Sequence, residues 1–180
     1  MKSFPIPGDV GFCNAVRRTL LQDVMMWAPS TVTVRTNTSC QTDEYIAHRI
    51  GLIPFRRVGN GDTVEFTCTG PQMATTAHVR GPAFEPVHEI DVMLLADDQC
   101  IDLTIHMEHR KASTHARYSP CAAVGMKQLD SNRHEISFRS IDGRDEREVL
   151  LEALDRLDDR VAAALLQLAN QPAQPPKTMC

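Results

Sequence analysis

The side chains of this chain that could do chemistry are its carboxylates, histidines and cysteines, and their spacing does not assemble a catalytic centre. Two-metal phosphoryl transfer needs several carboxylate oxygens within a few ångströms, as a tight D-x-D-x-D cluster supplies. Here the acidic pairs Asp43-Glu44, Asp97-Asp98 and Asp158-Asp159 are dispersed, and read as helix-end, loop and helix-surface charges. His106 and His109 lie at an odd offset on a predicted strand end, which puts them on opposite faces. His115 and His134 stand apart, and no H-E-x-x-H occurs. The six cysteines (Cys13, Cys40, Cys68, Cys100, Cys121 and Cys180) include no C-x-x-C pair of the kind that converges on zinc or an iron–sulfur cluster. They read as reduced thiols, most of them small core residues. No G-x-S-x-G elbow and no phosphate-cradling G-x-x-x-x-G-K-[ST] loop is present. Gly59-Asn60-Gly61 reads as a hairpin turn. No catalytic residue, metal or cofactor is expected.

Bulk composition agrees. The 180 residues are 42% apolar and 23% charged, as in a soluble globular protein of one domain, or a small domain carrying an insertion. A stand-alone nucleic-acid binder carries a basic surplus. This chain has a net charge of −4, so DNA grip is not expected as its main task, although a local basic patch stays open. The N-terminal MKSFPIPGDV lacks the apolar core of a secretory signal, and no apolar run reaches membrane-spanning length. An intracellular, soluble protein is expected.

The elements that must position any functional surface follow from periodicity. Residues 9–28 predict a helix, with Asp9 as N-cap and Phe12, Val16, Leu20 and Val24 as an apolar stripe. Pro29 would close it. Asn14, Arg17, Arg18 and Gln22 lie opposite the stripe. TVTVRTN at 31–37 predicts a strand. A second helix is expected at 43–50. Thr42 is its cap, Asp43 and Glu44 suit its positive end, His48 and Arg49 suit its negative end, and Gly51 would take a left-handed position after it. From Arg56 to about Ala112 the chain turns strand-rich, with Val64, Phe66 and Cys68 on one face and Ile101, Leu103, Ile105 and Met107 on another. Residues 121–128 and 134–139 predict a hairpin. The last helix, roughly 145–170, carries Leu150, Leu154, Leu157, Val161, Ala164 and Leu168 in a heptad-type seam. That seam can pack on its own sheet or on another subunit. The tail 171–180 is expected to be disordered.

Three ordered blocks carry a family resemblance. NAVRRTLLQDV followed by NTSCQTDEYIAHRIGLIPF, then HARYSPCAAV at 115–124, then FRSIDGRDEREVLLEALDRL resemble the third-largest subunit of eukaryotic RNA polymerase II and its counterpart in archaeal RNA polymerase. More distantly they resemble the amino-terminal domain of the bacterial alpha subunit. Val16 replaces a common family leucine, and Arg117 and Tyr118 depart from the family's H-A-K-W. Residues 56–112 match only weakly.

The resemblance implies an α+β fold: a split dimerisation domain (1–55 and 113–170), helices packed on an antiparallel sheet, with an inserted β-rich domain at 56–112. It implies a non-catalytic assembly subunit of a DNA-directed RNA polymerase. Such a subunit heterodimerises with a smaller homologous subunit, docks the second-largest catalytic subunit, and has small zinc-bearing subunits nearby. DNA is met only through the complex. The partner-binding residues it implies are Asn14, Arg17, Arg18 and Leu21 on the first helix, His48 and Arg49 at the H-R-x-G-L-I-P turn, and Leu150, Leu154, Leu157, Val161 and Leu168 on the last. Only Cys68 and Cys100 lie in the insertion, so neither the eukaryotic zinc loop nor an archaeal iron–sulfur module is expected. The first family strand looks cropped. The compact size suggests a reduced genome such as that of a large DNA virus, with work in host nucleus or cytoplasm and packaging in a virion as further expectations. A homodimer of bacterial-alpha type is the alternative, and a free-standing enzyme has no constellation to support it.

Overall fold

The computed structural model describes residues 1–170; the tail expected to be disordered, 171–180, lies outside them. Strand β1 (Lys2–Pro7) leads into helix α1 (Val10–Gln22). The Asp9 carboxylate caps this helix by accepting from the Phe12 amide at 2.8 Å. The resemblance left the first strand cropped. As it stands, β1 runs six residues, from Lys2 opposite Phe138 to Pro7 opposite Arg133. It tolerates two prolines because it lies at a sheet edge, where an absent N–H costs no ladder bond.

Helix α1 stops at Gln22, short of the residue 28 expected from sequence, because strand β2 begins at Met25 and runs to Asn37. Pro29 lies inside that strand opposite Met107, beside a register shift between Pro29 and Thr31. Strand pairing ends the helix, and proline does not. Helix α2 (Asp43–Gly51) starts where expected, with the Thr42 hydroxyl accepting from the Tyr45 amide at 3.4 Å. Gly51 does not turn left-handed; it is the last helical residue, and Leu52 follows in the right-handed region. Its missing side chain makes room for Arg117, whose Nη1 would stand 3.2 Å from an added Cβ.

Seven strands follow: β3 (Phe55–Arg57), β4 (Thr63–Thr69), β5 (Gln72–Thr75), β6 (Val79–Arg80), β7 (Phe84–Pro86), β8 (Asp91–Leu95) and β9 (Cys100–Lys111). Gly59-Asn60-Gly61 closes no hairpin, because β3 pairs with β7 while β4 pairs with β6 and β9. The segment instead carries the chain between two sheets. Gly59 passes so close to the next loop that an added Cβ would meet the Pro82 carbonyl at 2.3 Å. A short 3-10 turn (Ala116–Tyr118) leads to the expected hairpin, β10 (Cys121–Asp130) with β11 (Arg133–Ser140), and then to helix α3 (Glu146–Ala169).

The strands form antiparallel sheets in the orders β1-β11-β10, β2-β9-β4-β6, β3-β7 and β5-β8. The fold is thus mixed α and β, compatible with the α+β class. Two hydrophobic cores divide the described residues. In the first, α1 and α3 lie on the sheet β1-β11-β10, and Cys13, Val16, Leu20, Ile136, Phe138 and Leu150 meet. Phe12, expected in the α1 stripe, is 43% exposed; Cys13 takes its place facing the sheet. In the second, the alternating residues of β4 and β9 pack with Phe55 and Phe84. Ile46 and Ile50 of α2, with Val32 and Val34 of β2, contribute to this second core, although sequence groups them with residues 1–55.

The chain crosses between cores at Met25, and both of its backbone groups are held there. Arg144 Nη2 donates to the Met25 carbonyl at 3.0 Å, and Glu152 Oε1 accepts from the Met25 amide at 3.2 Å. Arg144 also pairs with the buried Asp142 at 2.6 Å and with Glu152 at 2.7 Å. Each charge in this knot is therefore paired, which is what makes its partial burial tolerable.

Candidate subunit-docking surfaces

The last helix divides into two halves. Val149, Leu150 and Ala153 are buried in the first core, and Leu154 and Leu157 pack against it in part. From Asp158 onward every described residue is exposed. Val161 is 51%, Leu165 61%, Leu166 65% and Leu168 63% exposed. At 1.5 Å per residue, this outer half is about 18 Å long. One ion pair, Arg160 to Asp23 at 2.7 Å, ties its base to the end of α1. An isolated helix of fewer than about 12–15 residues is marginal in water, so this stretch lacks the tertiary support that helices normally have. Each leucine left in water forgoes roughly 1.5–3 kcal/mol of burial.

A groove of about 310 Å³ lies between α1 and α3, lined by Phe12, Ala15, Leu154, Leu157, Asp158 and Val161. It continues the exposed stripe down to the body. Of the residues expected to bind a partner, Leu154, Leu157 and Val161 are brought together here, Leu168 lies further out on the same helix, and Leu150 is consumed by the core. Asn14, Arg17, Arg18 and Leu21 do not line the groove. Their spacing puts them on a neighbouring face of α1. Asn14 Oδ1 accepts from Arg17 Nε at 3.1 Å and Nη2 at 2.9 Å, which fixes that guanidinium against the helix while Arg18 is left exposed. Phe12, expected to face the core, and Leu165 and Leu166, outside the expected seam, are exposed here. A helical wheel cannot tell which apolar positions outrun the sheet.

The second surface surrounds the end of α2. Arg49 donates to the Asp91 carbonyl at 2.7 Å and to the Tyr45 hydroxyl at 3.3 Å. It divides two grooves, of about 430 and 540 Å³, that share Tyr45, Asp91 and Val92. His48 and Leu52 are exposed on the rim of the smaller one, and Leu94 and Met73 stand at the larger. The N-T-S segment positions this helix. Asn37 Oδ1 accepts from the Ser39 amide at 3.0 Å and hydroxyl at 2.7 Å, while its Nδ2 donates to Asp43 at 2.7 Å. The HARYSPC segment is a clamp as well. Arg117 donates to the Pro29 carbonyl at 2.9 Å, and Tyr118 is buried.

Neither surface holds a reactive constellation. Burial pushes the Cys121 thiol up to about 12, and raises Cys13 and Cys68 too, so these thiols stay protonated near neutrality. His106 contacts Thr33 at 3.2 Å, while His109 stacks on Trp27, so the two do not converge. Among the described residues, no group of three or more His, Cys, Asp or Glu is placed to hold a metal ion. No described helix is long and apolar enough to cross a membrane.

No family model matches the chain. It is 27% identical over 170 residues to the DNA-directed RNA polymerase subunit Rpo3 of Methanocaldococcus jannaschii, an alignment spanning 92% of this chain and 88% of that one. It is 30% identical over 169 residues to the RPAC1 subunit of DNA-directed RNA polymerases I and III of Homo sapiens, spanning 67% of this chain and 49% of that one. Against Rpo3 of Natronomonas pharaonis identity is 29% over 126 residues, again about half of the relative's length at 51%.

Proposed function

We propose that this chain, similar to the Rpo3 and RPAC1 subunits, is an alpha-like, non-catalytic assembly subunit of a DNA-directed RNA polymerase. It pairs with a smaller homologous subunit through α1 and the outer half of α3. It docks the second-largest polymerase subunit through the turn that ends α2, where His48, Arg49 and Leu52 present a rim over two grooves. Small zinc-bearing subunits bind nearby, and DNA is met only through the assembled complex. Residues 1–55 with 113–170 supply the pairing domain, and 56–112 a β-rich insertion.

The observation that carries this reading is the exposed apolar half of α3, continuous with the groove against α1. A helix that leaves its own core with leucines in water is a surface waiting for a partner helix of similar pattern. The acidic net charge supports a role through protein contacts, since counterion release on DNA rewards lysines and arginines.

The test is affinity capture of the tagged chain after co-expression with candidate polymerase subunits, followed by sedimentation. The expected result is a stable pair with a smaller homologous subunit that then takes up the second-largest subunit. A chain that stays monomeric beside every smaller subunit contradicts the proposal. A tight symmetric dimer of the chain alone would replace it with the bacterial-alpha arrangement.

A further inference from the structure

The junction between the two cores holds a pocket of about 250 Å³ that neither docking surface uses. Trp27, Phe55, Arg57, His109 and Arg144 line it. Its wall is aromatic and crowded. The Trp27 ring stacks on His109 with centres 5.1 Å apart and meets Phe84 at 5.2 Å. The Arg57 guanidinium lies over Trp27, 4.4 Å from its centre, and its Nε donates to the Gly59 carbonyl at 3.0 Å. Two independent contacts therefore fix the direction of this cation.

The arginines beside it are already neutralised. Arg56 pairs with Glu85, and Arg144 pairs with Asp142 and Glu152. Among the described residues, Arg57 has no carboxylate within ion-pair reach; its contacts are the Gly59 carbonyl and the rings of Trp27 and Phe84. The pocket thus offers one oriented, uncompensated guanidinium beside an apolar wall, in a chain whose net charge is −4.

We propose that this pocket receives a carboxylate side chain, an Asp or Glu presented by a docked polymerase subunit, with Arg57 as its ionic anchor. The proposal rests on the assembly reading above. A guanidinium fork matches a carboxylate in two parallel hydrogen bonds, and the Trp27 and Phe55 wall suits the aliphatic stem behind it. A nucleic acid fits less well. Its phosphates reward several free cations, whereas one is present, and Asp142 also faces the pocket. A base stacking on Trp27 would have to displace Arg57, His109 or Phe84.

Trp27 is the single tryptophan, so its emission reports on this pocket alone. The experiment titrates the full chain with capped hexaglutamate at low salt, in parallel with a single-stranded hexanucleotide. A saturable change is expected with hexaglutamate, with affinity about 10-fold weaker in Arg57→Gln and intermediate in Arg57→Lys, which keeps the charge and loses the fork. Circular dichroism establishes that both variants are folded. No saturable response, an Arg57→Gln midpoint equal to the wild type, or tighter binding of the oligonucleotide overturns the proposal. Capture from co-expressed subunits separates the two readings. If wild type and Arg57→Gln retain polymerase subunits equally as salt is raised, the pocket proposal fails and assembly stands. If hexaglutamate binds through Arg57 while no polymerase subunit is ever retained, the assembly reading fails and takes the polymerase source of the carboxylate with it, while Arg57 as a carboxylate anchor stands.

Discussion

The β-rich core closes on itself, whereas the core beneath α1 and α3 stops partway along the helix that covers it. In the first case, the inward residues of β4 and of β9 from Ile101 to Met107 are buried, and α2 adds Ile46 and Ile50 to the same core as Phe55 and Phe84. In the second, burial of the α3 stripe runs from Val149 to Leu157 and then gives way to exposed leucines. Similar apolar patterning thus ends in two different states. One element is covered within its chain, and the other leaves its outer half uncovered. An assembly subunit needs both kinds: a rigid body to hold a surface, and a surface that is unfinished.

Mutations can pull these regions apart. Phe66→Ala, in the closed core, should cost the isolated chain about 3–5 kcal/mol in denaturant melts, because a fully buried ring leaves a cavity. Next come Leu154→Asp and Leu157→Asp, at the boundary where the seam leaves the core. Each puts a charge in a half-buried site, and should both lower stability by about 1–3 kcal/mol and abolish pairing with the smaller subunit. Normal assembly in both variants would show that the seam packs elsewhere. Val161→Asp should change the isolated chain by no more than about 0.5 kcal/mol while still preventing the pair from forming on a sizing column. If it destabilised the isolated chain as much as Phe66→Ala does, the contrast between the two regions would be lost.

The smallest effect belongs to the junction. Loss of water around its ring, with Arg144, Arg156 and Arg57 nearby, holds His109 below its ordinary 6.5 despite the opposing charge of Glu152. The folded state therefore favours the neutral ring. Its contribution to stability is full above pH 6.5 and is lost as the pH falls through the folded value. Trp27 emission should fall as His109 protonates, with a midpoint below 6.5 that vanishes in His109→Gln. A midpoint above 6.5 would contradict the stacked, partly dehydrated ring.

Much of the local structure was legible in the sequence because it is written in local rules. The Asp9 and Thr42 caps, the alternation in β4 and β9, and the β10–β11 hairpin all lie where their residue patterns put them. What was missed depends on partners distant in sequence. The early end of α1 and the strand around Pro29 arise from pairing with β9, and β1 exists because β11 offers it an edge. Gly51 and Gly59 serve close approach, to Arg117 and to the Pro82 carbonyl, and no turn rule could foresee either. The candidate surface was half legible. The heptad spacing found the α3 stripe, but Leu150 and Leu168 share that spacing and differ wholly in burial, because only the tertiary fold decides where the sheet beneath the helix ends.

Amide hydrogen exchange over residues 158–169, in the isolated chain and in the co-purified pair with the smaller subunit, reaches the central claim most directly. The outer half of α3 should exchange rapidly in the isolated chain, like a helix without tertiary support, and become strongly protected in the pair while β4 and β9 stay unchanged. Equal protection in both samples would mean that the stripe is already satisfied within this chain and is not the surface through which it assembles.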